Sequence, residues 1–383
     1  MAAKQIFQNK EIADLFLPFI NQGYPSRKDF GDTFVNGIKH WWFPNDKVKQ
    51  SYSSDQLMIL DLEFGSKCGL RCDYCYRTDD KRDVTPNGDF TLDEWKNLID
   101  QAADMGVKAV KLIGAGEFFE EKEFMPALRY LTDKGIKAVL FTAGYVLDDE
   151  EKTKRLHGMT PDEIIDYLYE NNHTIFIKAD SFRKEVMDSL VHRPGFTESR
   201  NKVLIKLIKR GFTNETPTRL GFEVQVNIHN YNELTDIDRL KYYLNIYSDM
   251  VTSMPCGLYY LTKANGNSID LTIEQKRQLY LGIYRQNIEY DIPFDRISPF
   301  IGGLCCTQLG NGLYINVKGE VYSCPGFFEN LGSIRNSSLK EIWLNHKKRK
   351  IYQTKGYICP PRQDSGITPT ELYLETERQI NRK

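Results

Sequence analysis

Between residues 57 and 255 the chain alternates short apolar runs with segments of helical period, and few folds accommodate that alternation. The runs are MILDLEF, VKAVKLI, IKAVLFT, TIFIKAD, RLGFEVQVNI and DMVTSMP; helix-period stretches lie near 91–105, 121–134, 161–171, 199–210 and 232–246. Strands separated by helices pair in parallel, because the chain crosses back over the sheet before each new strand. The expected class is therefore α/β, as an open doubly wound sheet or a barrel. Polarity within the strands favours the barrel. In RLGFEVQVNIH, Leu220, Phe222, Val224, Val226 and Ile228 share one face, and Glu223, Gln225, Asn227 and His229 share the other. Lys178 and Asp180 share a face of TIFIKAD, as Asp61 and Glu63 do in the first strand. A parallel strand covered by helices on both sides is apolar on both faces, so these strands turn one face to a polar lumen; edges wetted by solvent are the alternative. Lys178, Glu223, Gln225 and Asn227 are candidate substrate contacts, with structural ion pairing as the competing role.

The flanks read differently. Residues 1–54, with Trp41-Trp42-Phe43-Pro44 and a short helix near 11–20, are expected to be an N-terminal extension packed on a core of 55–260. A connecting helix within 261–299 leads to a cysteine-bearing second domain over 300–383, where GLYINVKGEVYSC signals a hairpin turning at Lys318-Gly319. Lys plus Arg number 51 against 52 Asp plus Glu, so no global field draws in nucleic acid or anionic lipid. The run Lys347-Lys348-Arg349-Lys350 is expected to be a solvated helix end. The first residues lack a signal peptide's apolar run, and no stretch is apolar for the roughly 18 residues a membrane span needs. A cytoplasmic location follows, with no membrane partner. In that reducing compartment the eight cysteines are expected to serve a metal, a cluster or thiol chemistry rather than disulfides.

Cys68, Cys72 and Cys75 stand in KCGLRCDYCYR, spaced C-x3-C-x2-C directly after the first strand. Structural zinc wants a fourth protein ligand, and no Cys or His lies close by in sequence. An iron-sulfur cluster fits better, because three thiolates leave one iron open to bind something else.

This segment resembles the signature of the radical S-adenosylmethionine (radical SAM) superfamily, with Tyr74 as its aromatic residue. The resemblance implies a partial (β/α)6 TIM barrel with its site at the carboxyl ends of the strands. It also implies a 4Fe–4S cluster whose open iron chelates S-adenosylmethionine and, once reduced, cleaves it to a 5'-deoxyadenosyl radical that abstracts hydrogen from substrate. Gly114-Ala115-Gly116-Glu117 is similar to the family's glycine-glycine-glutamate motif, which holds the cofactor's amine; Ala115 and Phe118 stand where glycine and proline are more frequent. FTAGY carries Ala143 where asparagine is usual. Asp180 and Ser181 match positions that contact the ribose hydroxyls, while the residues themselves leave Asp180 equally suited to cap the next helix.

Cys305, Cys306, Cys324 and Cys359 form a second group, and Cys306 to Cys324 reads C-x12-G-x4-C. With LGSIRNSSLKEIW after it, this segment is similar to SPASM and twitch domains, which implies a second, auxiliary 4Fe–4S cluster. The further C-x2-C-x5-C-x3-C run of a full SPASM domain is absent, so a single cluster of twitch type is expected. Its fourth ligand stays open between Cys305, Cys256 and none, since adjacent thiols point apart in extended backbone; zinc or a plain thiol cluster is the alternative. Cys256, after the sixth strand, has three readings: a packed apolar thiol, a cluster ligand, or a hydrogen-atom donor to a substrate radical.

The enzyme expected from these residues oxidises, epimerises or rearranges a small polar metabolite such as a sugar, aminocyclitol or nucleoside. The resemblance adds an electron donor such as a flavodoxin or ferredoxin. Modification of a ribosomal peptide and a non-catalytic electron carrier are the other readings; the Gly-Ala-Gly-Glu loop weighs against the carrier.

Overall fold

The computed structural model describes residues 8–15, 39–40, 45–75, 88–215, 219–235, 250–253, 308–325 and 327–354, with short helical pieces between 269 and 282 and between 374 and 381. Six parallel strands form in chain order inside the six apolar runs: β1 (Ile59–Leu62), β2 (Ala109–Leu112), β3 (Lys137–Thr142), β4 (Thr174–Lys178), β5 (Leu220–Gln225) and β6 (Met250–Ser253). The crossovers carry α1 (Leu92–Asp104), α2 (Phe124–Asp133), α3 (Glu150–His157), α4 (Pro161–Glu170), α5 (Lys184–Leu190) and α6 (Phe196–Arg210).

Local chemistry sets where these helices begin. Thr91 and Glu94 form a reciprocal capping box on α1, and Thr160 and Glu163 repeat it on α4, where Pro161 fills the first position. Each cap satisfies amide groups that have no partner inside the helix, worth about 1 kcal/mol. Trp95, Leu98, Ile99 and Ala102 of α1 are buried against Leu60, Leu62, Val110 and Leu112, so one side of the sheet is an apolar layer under helices.

The other side is also buried, and it is mixed. Asp61, Lys111, Val139, Phe176 and Lys178 alternate with the helix-facing residues, and none is more than 8% exposed. Phe141 and Phe176 stack across β3 and β4 with ring centroids 4.5 Å apart. A sheet with both faces buried and helices under one of them has curled around an inner face, as a partial barrel does.

The hairpin forms as expected, from β7 (Gly312–Ile315) and β8 (Glu320–Cys324), followed by β9 (Phe327–Ser333). Gly319 takes φ +81° in the turn, where Asn316 Oδ1 accepts from the amides of Lys318 and Glu320. The partner of β7 was not legible in the sequence. It pairs in parallel with β1, Ile59 opposite Gly312 through Leu62 opposite Ile315, giving one sheet in the order β6-β5-β4-β3-β2-β1-β7-β8-β9. Helix α7 (Leu339–Asn345) then returns to the barrel, its first amide donating to Gln101 of α1 at 2.8 Å.

In the basic run after α7, Lys347, Lys348 and Lys350 are exposed, as expected of a solvated helix end, but Arg349 turns inward. Arg349 is 4% exposed, donates to the carbonyls of Trp343, Leu344 and His346, and pairs with Asp55 at 3.0 Å. Those carbonyls lie at a helix terminus and need donors, which draws the guanidinium inward. In the N-terminal extension, Ile12 and Ala13 are fully buried in the main core, and the Lys39 carbonyl accepts from Thr174 Oγ1. Among the described residues no helix is long and apolar enough to cross a membrane.

Candidate active site at the carboxyl ends of the strands

The loop after β1 carries Cys68, Cys72 and Cys75, and its neighbours hold its backbone in place. Glu121, 7% exposed, accepts from the amides of Ser66 and Lys67 at 3.2 and 3.1 Å and pairs with Lys67 Nζ at 2.8 Å. The Gly69 amide donates to the Tyr145 hydroxyl at 2.8 Å, and that hydroxyl donates to Glu120 at 2.5 Å. The amides of Arg71 and Asp73 donate to carbonyls at the end of α5, and Cys75 closes a turn onto the Cys72 carbonyl.

The loop after β2 presses on this one. Gly114 has φ +64°, and a Cβ there would meet the Gly116 carbonyl oxygen at 2.4 Å; a Cβ on Gly116 would meet the Lys67 carbonyl oxygen at 2.2 Å. Glycine is therefore required at both positions by close backbone approach. Ala115, at the middle of the motif, is 7% exposed. The Glu117 amide donates to Lys67 O at 2.8 Å, tying the two loops together. Its carboxylate, 3% exposed, takes Thr142 Oγ1 on one oxygen and the Ala143 amide on the other, both at 2.7 Å. Burial outweighs those hydrogen bonds and pushes the carboxyl up to about 7.

A charged group lines the ends of β4 and β5. Lys178, 8% exposed, lies 3.5 Å from Asp180 and stands over the Tyr74 ring at 4.5 Å. Burial opposes its charge, but Asp180, Cys72, Glu223 and Cys75 outweigh that and hold the ammonium firmly protonated. Tyr74 donates its hydroxyl to one Asp180 oxygen, and the Gln225 amide donates to the other at 2.7 Å. Asp180 does not cap the next helix, whose N-cap is Arg183. Glu223 is half-buried on the same face, its carboxyl raised by burial.

The remaining expected positions separate. Ser181 is fully buried and donates to Glu233, which also holds Arg183. Asn227 lies beyond the end of β5, 2% exposed, its side chain donating to Gln225 O and accepting from the His229 amide; it shapes a turn instead of continuing the strand face. Cys324 ends β8, half-buried opposite Phe327. Cys256, Cys305, Cys306 and Cys359 lie outside the described residues. Glu121 and Tyr145, which order the cysteine loop, were missed in the sequence because their contacts exist only once neighbouring strand ends lie side by side. Lys111 had a signal, being the polar residue between Val110 and Leu112 in VKAVKLI.

The donor set fits a cluster. Burial raises Cys68 to about 12 and lifts Cys72 further, and each feels the negative charge of neighbouring thiolates. Thiolates in such a place need a metal's positive charge beside them. Among the described residues no three His, Cys, Asp or Glu converge as a single ion requires, whereas a cluster asks only that each thiolate reach its own iron.

The comparisons with known proteins agree with this geometry. The sequence model of the radical SAM superfamily matches residues 62–241, and that of an iron-sulfur cluster-binding domain, SPASM, matches 305–362. The AdoMet-dependent heme synthase of Methanosarcina barkeri is 33% identical over 354 residues, covering 83% of this chain and 95% of that protein. The chain belongs to the radical SAM superfamily. A tungsten-containing aldehyde ferredoxin oxidoreductase cofactor-modifying protein of Pyrococcus furiosus is 24% identical over 347 residues, 84% of this chain and 90% of that one. Among solved structures, Streptococcus suis SuiB bound to precursor peptide SuiA shares the fold, with a TM-score of 0.56 at 13% identity over 81% of this chain and 70% of that one.

Membership makes this radical SAM chain an enzyme with a 4Fe–4S cluster, S-adenosylmethionine and auxiliary iron-sulfur chemistry as its cofactors. The bound cofactor pair supplies an organic radical; the protein supplies binding, orientation and electrostatics. Cys68, Cys72 and Cys75 would hold the cluster. Gly114, Ala115 and Gly116 offer backbone at close approach, and Glu117 offers a carboxylate that a nearby ammonium would ionise fully.

Proposed function

We propose that this radical SAM enzyme removes a hydrogen atom from a small polar molecule, of sugar, aminocyclitol or nucleoside type, bound at the barrel mouth. The observation that carries this reading is the placement of Lys178 and Glu223 beside Asp180, Cys72 and Tyr74, with Lys178 held as an ammonium, since polar and charged side chains on an inner face suit a hydroxyl- or amine-bearing ligand. The relatives named as a heme synthase and as a cofactor-modifying protein support a non-peptide substrate. In this reading one auxiliary cluster is held by Cys324 with Cys306, Cys359 and a fourth ligand that is Cys305, Cys256 or no protein group, a flavodoxin or ferredoxin delivers electrons, and the protein works in the reducing cytoplasm.

Modification of a ribosomal peptide is the second reading, favoured by the likeness to the SuiB–SuiA complex. One experiment separates them. Anaerobically reconstituted, dithionite-reduced protein is assayed for 5'-deoxyadenosine with cell extract split by size. Stimulation by the small-molecule fraction is expected; stimulation only by the peptide-sized fraction transfers the assignment to peptide modification.

A further inference from the structure

Deeper in the lumen, β1 and β2 hold a buried charge pair outside the site described above. Asp61 and Lys111 stand opposite each other in the parallel register, and each is 4% exposed. Lys111 Nζ lies 3.6 Å from Asp61 Oδ1, beyond hydrogen-bond range, and that oxygen accepts no hydrogen bond from the protein. Alternation fixes its direction. Leu60, Leu62, Val110 and Leu112 belong to the helix-facing core, so Asp61 and Lys111 face the lumen.

A buried carboxylate oxygen whose nearest donor is an ammonium at 3.6 Å has accepting capacity left for a further partner. The surroundings say which kind. The stacked Phe141 and Phe176 lie between this pair and the Lys178–Glu223 wall, two strands further round the sheet. The inner face thus offers a polar group on either side of a flat apolar surface. Burial raises the Asp61 carboxyl against the pull of Lys111, so Lys111 alone does not offset the cost of burying this charge.

We propose that Asp61, with Lys111 opposite it, accepts a hydrogen bond from a hydroxyl or ammonium group of the substrate, so that the enzyme selects molecules carrying a donor at this end. The inference rests on the small-molecule reading and specifies which of those molecules fit. The competing explanation is an ion pair that only holds β1 to β2.

The test uses the reconstituted holoenzyme as wild type, Asp61→Asn, and Asp61→Asn combined with Lys111→Met, which leaves no ammonium unpaired. The readout is 5'-deoxyadenosine formed with the small-molecule fraction of cell extract divided by that formed without it. The electron paramagnetic resonance spectrum of the reduced cluster and the thermal midpoint report integrity independently. The ratio is expected to fall about ten- to a hundredfold toward unity in both variants, with wild-type spectra. A double variant that regains the wild-type ratio makes the pair structural and overturns the proposal, as does Asp61→Asn responding like wild type. Wild type responding only to the peptide-sized fraction overturns the small-molecule reading and this subsite together.

Discussion

At the amino ends of the strands His173 is fully buried, with Nδ1 accepting from the Ala138 amide at 3.1 Å and Nε2 lying 3.1 Å from Thr132 Oγ1, which also accepts from the Tyr167 hydroxyl. At the carboxyl ends Glu117 is almost as deeply buried, its two oxygens on Thr142 and the Ala143 amide. The networks are alike in form but opposite in electrical consequence. Burial, with Lys137, His40 and Arg219 near it, pushes His173 down to about 3, so the imidazole is neutral at neutral pH. Burial pushes Glu117 up to about 7, so its charge is undecided near neutrality. One end of the sheet is built to stay as it is, and the other to change when a cation arrives.

The largest expected effect lies at the carboxyl end. Alanine at Cys68, Cys72 or Cys75 is expected to abolish 5'-deoxyadenosine formation and the reduced-cluster resonance, while far-ultraviolet circular dichroism stays native. Retention of a full cluster signal in any of the three would break the assignment of this end.

A smaller effect is expected from two glycines that differ in surroundings. Gly116→Ala drives a Cβ to 2.2 Å from the Lys67 carbonyl and shifts the cysteine loop, whereas Gly135→Ala, at φ +74°, meets nothing within 4 Å. The first is expected to lower cluster content or turnover by at least about tenfold, the second only to destabilise by about 1 kcal/mol. Iron content, turnover and thermal midpoint measured on both distinguish them; equal losses would mean that the loop contact has no special role.

The smallest effect is a pH dependence. Glu117 has a folded value above its ordinary 4.5, so its contribution to stability falls as pH rises from 4.5 to 7, by about 3 kcal/mol. His173 has a folded value below its ordinary 6.5, so its contribution falls as pH drops from 6.5 towards 3, at about 1.4 kcal/mol per unit. Between 4.5 and 6.5 the two slopes oppose each other. Glu117→Gln removes one, so the urea midpoint of the variant is expected to rise relative to wild type as pH increases through that window. Parallel curves for the two proteins would show that the ends do not differ as described.

How much of this was legible in the sequence depends on distance along the chain. The six core strands were legible because apolar runs between capped helices are local patterns, as Thr91 with Glu94 and Thr160 with Glu163 show. The cysteine loop was legible because its spacing lies within eight residues. Asn227 was misplaced because polar alternation continues in sequence past Gln225, where the strand ends and a turn begins. Arg349 was misread because a run of four basic residues gives no sign that one of them fills a helix terminus. The pairing of β7 with β1, and the hold of Glu121 on the cysteine loop, bring together segments that no local pattern connects.

That β1–β7 pairing bears on modularity. The Glu63 amide donates to Ile315 O at 3.0 Å and the Met58 amide to Asn311 O at 2.9 Å, so the strand that launches the cysteine loop is completed by residues more than two hundred positions away. A shortened protein ending before residue 300 would leave that flank of β1 with bare amides and carbonyls, a template for pairing with other chains. The segment carrying Cys324 therefore doubles as a shield against aggregation. Transplanting the core without it is expected to lower soluble yield, measured by ultracentrifugation, before any question of chemistry arises.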